Sequence, residues 1–159
     1  MSEQSDSTTS ILILGIGNYL MGDEGLGVHL ARRFEEMDLP PGVDVVEGGT
    51  GGFHLMPFFE SYDKVILVDA TLDGREAGTI RLLKPKFSAD FPKAMSTHDI
   101  GLKDVIEGLI LLGKMPEVHL FAVSIETLQS QRIDLSPEIQ KALNELEPKI
   151  FQLIEELQI

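Results

Sequence analysis

Residues 11–18 read Ile-Leu-Ile-Leu-Gly-Ile-Gly-Asn. Ile11–Leu14 is short, continuously apolar and closed by Gly15, the pattern of a strand buried on both faces of a parallel sheet. Leu26, Leu30, Phe34 and Met37 then recur at near-helical spacing, so one stripe of a helix faces that sheet until Pro40-Pro41-Gly42 stops it. Val43–Val46 is a second strand, closed by Gly48-Gly49-Thr50-Gly51-Gly52. A short helix follows through Phe59, provided Pro57 lies in its first turn. Val65–Val68 is the third buried strand, ending in Asp69. Thr79–Leu83, entered through Asp73-Gly74 and Gly78, reads as an edge strand with antiparallel pairing open to it. Leu102, Val105, Ile106, Leu109 and Ile110 mark another amphipathic helix, and Val118–Val123 a further strand. Ser136-Pro137-Glu138 is a helix start, with a hydroxyl cap, a proline at the first position and an acid near the positive end of the dipole. That helix carries Ile139, Leu143, Leu146, Ile150 and Leu153, and Pro148 is expected to kink or interrupt it. Strands interleaved with helices predict an α/β fold: a three-layer sandwich with a mostly parallel twisted central sheet, an edge strand, and helices on both faces. Residues 1–10 are expected to form a disordered polar tail, and 11–159 one domain.

Composition narrows the partners. The 159 residues hold 13 Lys+Arg against 26 Asp+Glu, a formal net charge of −13, which repels phosphate backbones and anionic membranes. No nucleic-acid or membrane partner is expected. The absence of cysteine removes disulfides, thiolate metal sites, iron–sulfur clusters and a cysteine nucleophile together. The opening MSEQSDSTTS lacks the basic and apolar regions of a signal peptide, and no apolar run approaches the ~20 residues that cross a bilayer. A cytoplasmic location is the expectation.

The turn after the first strand is where a phosphate loop would sit. A dinucleotide fingerprint needs a third glycine where Leu20 stands. A P-loop needs Lys and Ser/Thr after Gly22, where Asp23 and Glu24 stand instead. Two acids suit a cation rather than an anion, although such a pair also simply complements a helix N-terminus. In parallel α/β sheets ligands gather outside the carboxyl ends of the strands. Glu24 follows the first strand, Asp69 closes the third, and His98 lies in Ser96-Thr97-His98-Asp99 just before a helix. Together they would make one imidazole and two carboxylates with open positions, suited to zinc, nickel or a similar divalent ion. Each also has an ordinary role, as helix cap, turn residue or solvated loop histidine. His29 lies roughly 140° round the helix from Glu24 and does not share its face. His119, on a buried-looking strand, reads as a satisfied core group, and His54, after the Gly-rich loop, is a weaker candidate that could line the same cleft. No H-E-x-x-H and no G-x-S-x-G occurs.

Four blocks, in order, resemble the hydrogenase maturation endopeptidases, which process the large subunit of nickel–iron hydrogenases. They are Gly15-Ile16-Gly17-Asn18 with Gly22-Asp23-Glu24-Gly25-Leu26-Gly27; Glu47-Gly48-Gly49-Thr50-Gly51-Gly52; Val68-Asp69-Ala70; and Ser96-Thr97-His98-Asp99-Ile100-Gly101-Leu102. The resemblance runs from Ile11 to about Ile154 and implies a single α/β peptidase domain. It also implies a metal-contacting triad matching Glu24, Asp69 and His98, both catalytic and metal-binding. The family often carries Asp where this chain has Glu47. The nickel would be supplied by the precursor of the large subunit, with no tightly bound cofactor in the protease itself. Cleavage would remove the precursor's C-terminal extension, the Gly48–Gly52 loop serving as a floor for the extended tail. A monomer is expected. The same ligands suit a non-catalytic nickel-dependent chaperone of the large subunit. A peptidyl-tRNA-hydrolase-like enzyme shares the Gly-Asn turn, but a −13 surface opposes tRNA.

Overall fold

A computed structural model describes residues 9–92, 100–129 and 131–158. Most of the expected tail and His98 lie outside the described residues. Ser10 is already anchored, its hydroxyl and backbone N–H donating to the Asp63 carboxylate at 3.1 Å each.

Five strands form one sheet in the order β2-β1-β3-β5-β4. They are β1 (Ile11–Ile16), β2 (Val43–Gly49), β3 (Lys64–Thr71), β4 (Ile80–Leu83) and β5 (Glu117–Ser124). β1, β2, β3 and β5 are parallel; β4 is the antiparallel edge, Ile80 opposite Val123 and Leu83 opposite Leu120. The helices are α1 (Leu26–Glu35), α2 (Met56–Ser61), α3 (Ile100–Leu111) and α4 (Pro137–Leu157), so the expected α/β sandwich is present.

Alternation along the strands divides the core. Ile11, Ile13, Ile66, Val68, Phe121 and Val123 face α1 and α4, meeting Leu30, Phe34, Leu143, Leu146 and Ile150. Leu12, Leu14, Val65, Leu67, Val118 and Leu120 face α2 and α3, meeting Phe59, Leu102, Val105 and Leu109. Because both faces are covered, the central strands have no polar alternation, which is why they read as unbroken apolar runs. Each fully buried Leu, Ile or Phe contributes about 1.5–3 kcal/mol of transfer free energy.

Three expectations are corrected. β3 does not end at Asp69 but runs two residues further, Ala70 opposite Val123 and Thr71 opposite Ser124, so Asp69 is a strand residue. α4 continues unbroken through Pro148. Buried residues on both sides of it, Leu143 and Leu146 before and Ile150 and Leu153 after, hold the helix against the loss of one backbone bond, a cost of about 3 kcal/mol in an unsupported helix. Ser136 does occupy the N-cap position, but its side chain makes no cap bond; its hydroxyl is engaged elsewhere.

Candidate functional site

β1 and β3 are neighbours, yet the chain leaves β1 toward β2 on one side and reaches β5 from β3 on the other. The strand order reverses here, opening the crevice where α/β sheets hold ligands. β1 keeps its pairing with β3 only to Gly15 opposite Val68. Asp69 is therefore the first β3 residue beyond the reach of β1, while its other side still pairs with Ala122 of β5.

The chain leaving β1 turns through a 3-10 turn, Gly22–Gly25, directly into α1. Two glycines let this turn settle onto the strand ends. A Cβ on Gly27 would stand 2.3 Å from the Ile16 carbonyl oxygen and 2.5 Å from that of Val68. One on Gly17, whose φ is +148°, would stand 2.2 Å from the Glu24 carbonyl oxygen. Backbone thus packs on backbone, and the turn that carries Glu24 rests against β3. Both carboxylates are fully buried, at 0% exposure. Asp69 Oδ1 accepts from the Ala70 N–H at 2.8 Å. By alternation Asp69 belongs with Val65 and Leu67, on the α2/α3 face. Ile100, two residues along the chain from His98, begins α3 on that face. Among the described residues no three His, Asp or Glu side chains gather closely enough to hold a metal ion; the expected third ligand lies outside them.

Asp23, next to Glu24, does something different. Its carboxylate accepts from the Ser136 backbone N–H at 2.7 Å and the Ser136 hydroxyl at 2.8 Å. It also accepts from Gln129 Nε2 at 3.2 Å, and Gln129 Oε1 in turn accepts from the Asp23 backbone N–H at 2.9 Å. The acid sits at the N-terminus of α4, where the helix dipole favours negative charge. Of the two adjacent acids, Asp23 anchors structure, while Glu24 is the more deeply buried. Nothing local distinguishes them, because the anchor's partners lie more than a hundred residues away.

The remaining candidates separate clearly. Glu47 accepts from Arg32 at 3.1 and 3.3 Å through both carboxylate oxygens, and the Arg32 guanidinium lies 3.9 Å from the Tyr19 ring centroid. His29 is on that same side, its ring 4.9 Å from Tyr19 and its Nε2 donating to the Ile133 carbonyl at 3.0 Å. Burial pushes the His29 imidazole down from its ordinary value, only partly offset by that carbonyl. His119 is buried and satisfied as expected, 2.6 Å from Glu117 Oε2. That bond holds the Glu117 carboxyl below the usual range. His54 is exposed in a short 3-10 turn, Phe53–Leu55, beyond β2.

Sequence reading missed Asp73 as a structural centre. Its carboxylate binds Arg75 at 2.9 Å, Arg81 at 3.0 Å and the Thr71 hydroxyl at 3.1 Å. Burial pushes its pKa up, but hydrogen bonds from the Arg75 backbone, the Arg75 side chain and the Thr71 hydroxyl outweigh this and hold it at about 2. The loop so fixed walls a cavity of about 290 Å³ beyond β3 and β5, lined by Leu72, Gly74, Arg75, Glu76, Ile125 and Glu126. Large apolar side chains are also left in water around this end of the sheet. Leu20, Phe53, Leu72, Leu128 and Ile133 all lie in loops that leave the carboxyl ends of strands, while Leu82, Phe87, Leu111 and Leu112 are exposed elsewhere. Exposed apolar side chains along the rim of this end of the sheet are of the kind that meet another polypeptide.

The family profile described as hydrogenase maturation protease matches residues 28–153. Hydrogenase 2 maturation protease of Escherichia coli (strain K12) is 33% identical over 148 residues, covering 91% of this chain and 88% of that protein. Hydrogenase expression/formation protein HupD of Bradyrhizobium diazoefficiens is 36% identical over 129 residues, 78% of this chain; the chain spans 66% of that relative's length, just under two thirds. Among solved structures, the hydrogenase maturating endopeptidase HybD from E. coli superposes with a TM-score of 0.83 at 30% identity, covering 92% of this chain and 93% of that one.

Proposed function

The chain belongs to the hydrogenase maturation protease family, and from that premise we propose that it is an endopeptidase removing the C-terminal extension of the nickel-loaded hydrogenase large-subunit precursor. What supports this reading is that Glu24, in the turn after β1, and Asp69, on β3 just past its last pairing with β1, are both fully buried near the point where the strand order reverses. Carboxylate oxygens are hard donors of the kind that suit a divalent cation carried in by a substrate. His98 is the third group of the reading. α3 has 12 residues, about 18 Å of helix, and a short connection joins its C-terminus to the amino end of β5. Its N-terminus at Ile100, two residues after His98 in the chain, therefore returns to the carboxyl edge of the sheet.

In this reading the precursor's own nickel is part of the substrate. Glu24, Asp69 and His98 contact it, so only a loaded precursor completes the site. When present, the ion would supply Lewis-acid chemistry toward the scissile carbonyl or a water, and a carboxylate would accept the proton released by the water and pass it to the leaving amine. With nickel as a recognition tag alone, the same residues orient the tail. The exposed apolar rim and the Gly48–Gly52 loop receive the extended chain. In this reading the protein acts as a monomer in the cytoplasm; among the described residues no helix is long and apolar enough to cross a membrane.

The test is a cleavage assay on purified precursor with and without nickel. Glu24→Gln, Asp69→Asn and His98→Ala are each expected to abolish tail removal while keeping the wild-type circular dichroism spectrum. Unimpaired processing by any two of them overturns the site assignment. A stable complex of loaded precursor and wild-type protein with the tail intact overturns the peptidase reading.

A further inference from the structure

We propose that Asp23 is a positioning residue that sets Glu24 in the crevice, acting through the segment that joins β5 to α4. This rests on the reading of Glu24 given above. Asp23 and Glu24 are consecutive in the 3-10 turn Gly22–Gly25 and are 4% and 0% exposed. At three residues per turn, neighbours point about 120° apart, so fixing the direction of one carboxylate fixes that of the other. Asp23 is fixed by the three bonds to Ser136 and Gln129, and by the return bond from its own N–H to Gln129.

The segment is zipped to the turn along its backbone as well. The Gly22 N–H donates to the Arg132 carbonyl at 2.6 Å, and the Arg132 N–H to the Leu20 carbonyl at 2.9 Å. These residues leave β5, which is separated from β1 by β3, and return to the loop after β1 before α4 begins. The turn carrying Glu24 is therefore held from two sides. Below it, the β1 and β3 backbones pack under Gly27; beside it stands the start of α4. Ser136 uses its hydroxyl on Asp23 instead of capping its own helix. A helix N-terminus has given up its ordinary cap to hold this turn.

A role confined to stability would lower the melting temperature and leave turnover by the folded protein unchanged. Positioning predicts a fall in kcat with KM little changed, because the precursor's docking surface is intact. The experiment compares full-length wild type, Asp23→Ala, Asp23→Asn, Gln129→Ala and Glu24→Gln on nickel-loaded precursor. Kinetics are measured well below each variant's melting midpoint, itself measured by circular dichroism. A displacement near 1 Å costs about 100-fold in rate, the drop in kcat expected for Asp23→Ala. Asp23→Asn keeps the shape but loses one acceptor oxygen and is expected to fall between Asp23→Ala and wild type. Gln129→Ala removes one side-chain contact from the carboxylate at a half-buried site, and should lower kcat by about 10-fold on the same scale, with the fold intact. If Asp23→Ala does not fold, Gln129→Ala decides. Unchanged kcat in the folded Asp23 and Gln129 variants, with Glu24→Gln inactive, overturns the positioning role and leaves the site reading standing. Normal processing by Glu24→Gln removes Glu24 from the site, and overturns this role with it.

Discussion

Two helical glycines give opposite expectations for the same substitution. A Cβ on Gly27 in α1 would stand 2.3 Å from Ile16 O, 2.5 Å from Val68 O and 2.7 Å from Ile16 N. All three are backbone atoms of central strands and cannot swing aside as a side-chain tip would. Overpacking a rigid core costs roughly 1–3 kcal/mol, and immovable neighbours put Gly27→Ala at the upper end. Alanine's better helix propensity returns about 0.5–1 kcal/mol. The net loss is about 2 kcal/mol, which at this chain length lowers Tm by roughly 4–8 °C. Gly108 in α3 has only Met56 Cε near its would-be Cβ, at an ordinary 3.7 Å. Gly108→Ala should therefore stabilise, by about 0.5–1 kcal/mol. Urea unfolding followed by far-ultraviolet circular dichroism reads both. The first variant should also lose tail-removing activity, since the turn bearing Glu24 is lifted from β3. If Gly27→Ala is as stable as Gly108→Ala, the account of how the turn is seated on the strands is wrong.

Other expectations are simpler to test. Asp73 has its folded pKa lowered from 3.8 to about 2, so its contribution to stability is present above about pH 4 and is lost as pH falls through about 2. The stability gap between wild type and Asp73→Asn in urea should accordingly narrow over that window; a gap constant with pH contradicts the assigned network. Pro148→Ala, at an exposed position inside α4, restores a backbone donor. It should raise stability by about 2 kcal/mol, less than the ~3 kcal/mol of an unsupported helix because proline also restricts the unfolded chain; an unchanged urea midpoint counts against it. The Arg32–Glu47 pair is partly exposed on both sides. Glu47→Ala should cost less than about 1 kcal/mol in thermal denaturation, and a larger loss would mean that Glu47 does more than pair with Arg32.

The elements were legible where burial imposes a period. β1, β3 and β5 are apolar throughout because helices cover both faces, and α1, α3 and α4 bury the stripes their spacing predicts. Element ends were less legible: β3 passes through Asp69 because pairing with β5 continues after β1 has departed. Polar partnerships across the chain were illegible. Ser136 has every local mark of a cap, yet its hydroxyl goes to Asp23, 113 residues away. Asp73 looks like a turn residue beside Gly74, but its ion pair with Arg81 requires β4 to lie where it does. Such pairs leave no periodic trace, so the anchoring role of Asp23 became visible only when the fold brought Ser136 and Gln129 to it.

The order of strands in space has a consequence for the order of events at the ribosome. β5 lies between β3 and β4 although it is the last strand to be made. When β4 emerges, its place in the sheet does not yet exist, and the α1 side of β1 and β3 waits for α4, the final helix, to cover it. Vectorial synthesis thus leaves a half-built sheet with two open flanks until the last stretch of chain arrives. A premature stop before α4 would uncover the face that Ile139, Leu143, Leu146 and Ile150 seal, making the truncated product a client for chaperones and proteases. The same order makes the α3–β5 connection a natural place to split the chain into two complementing fragments.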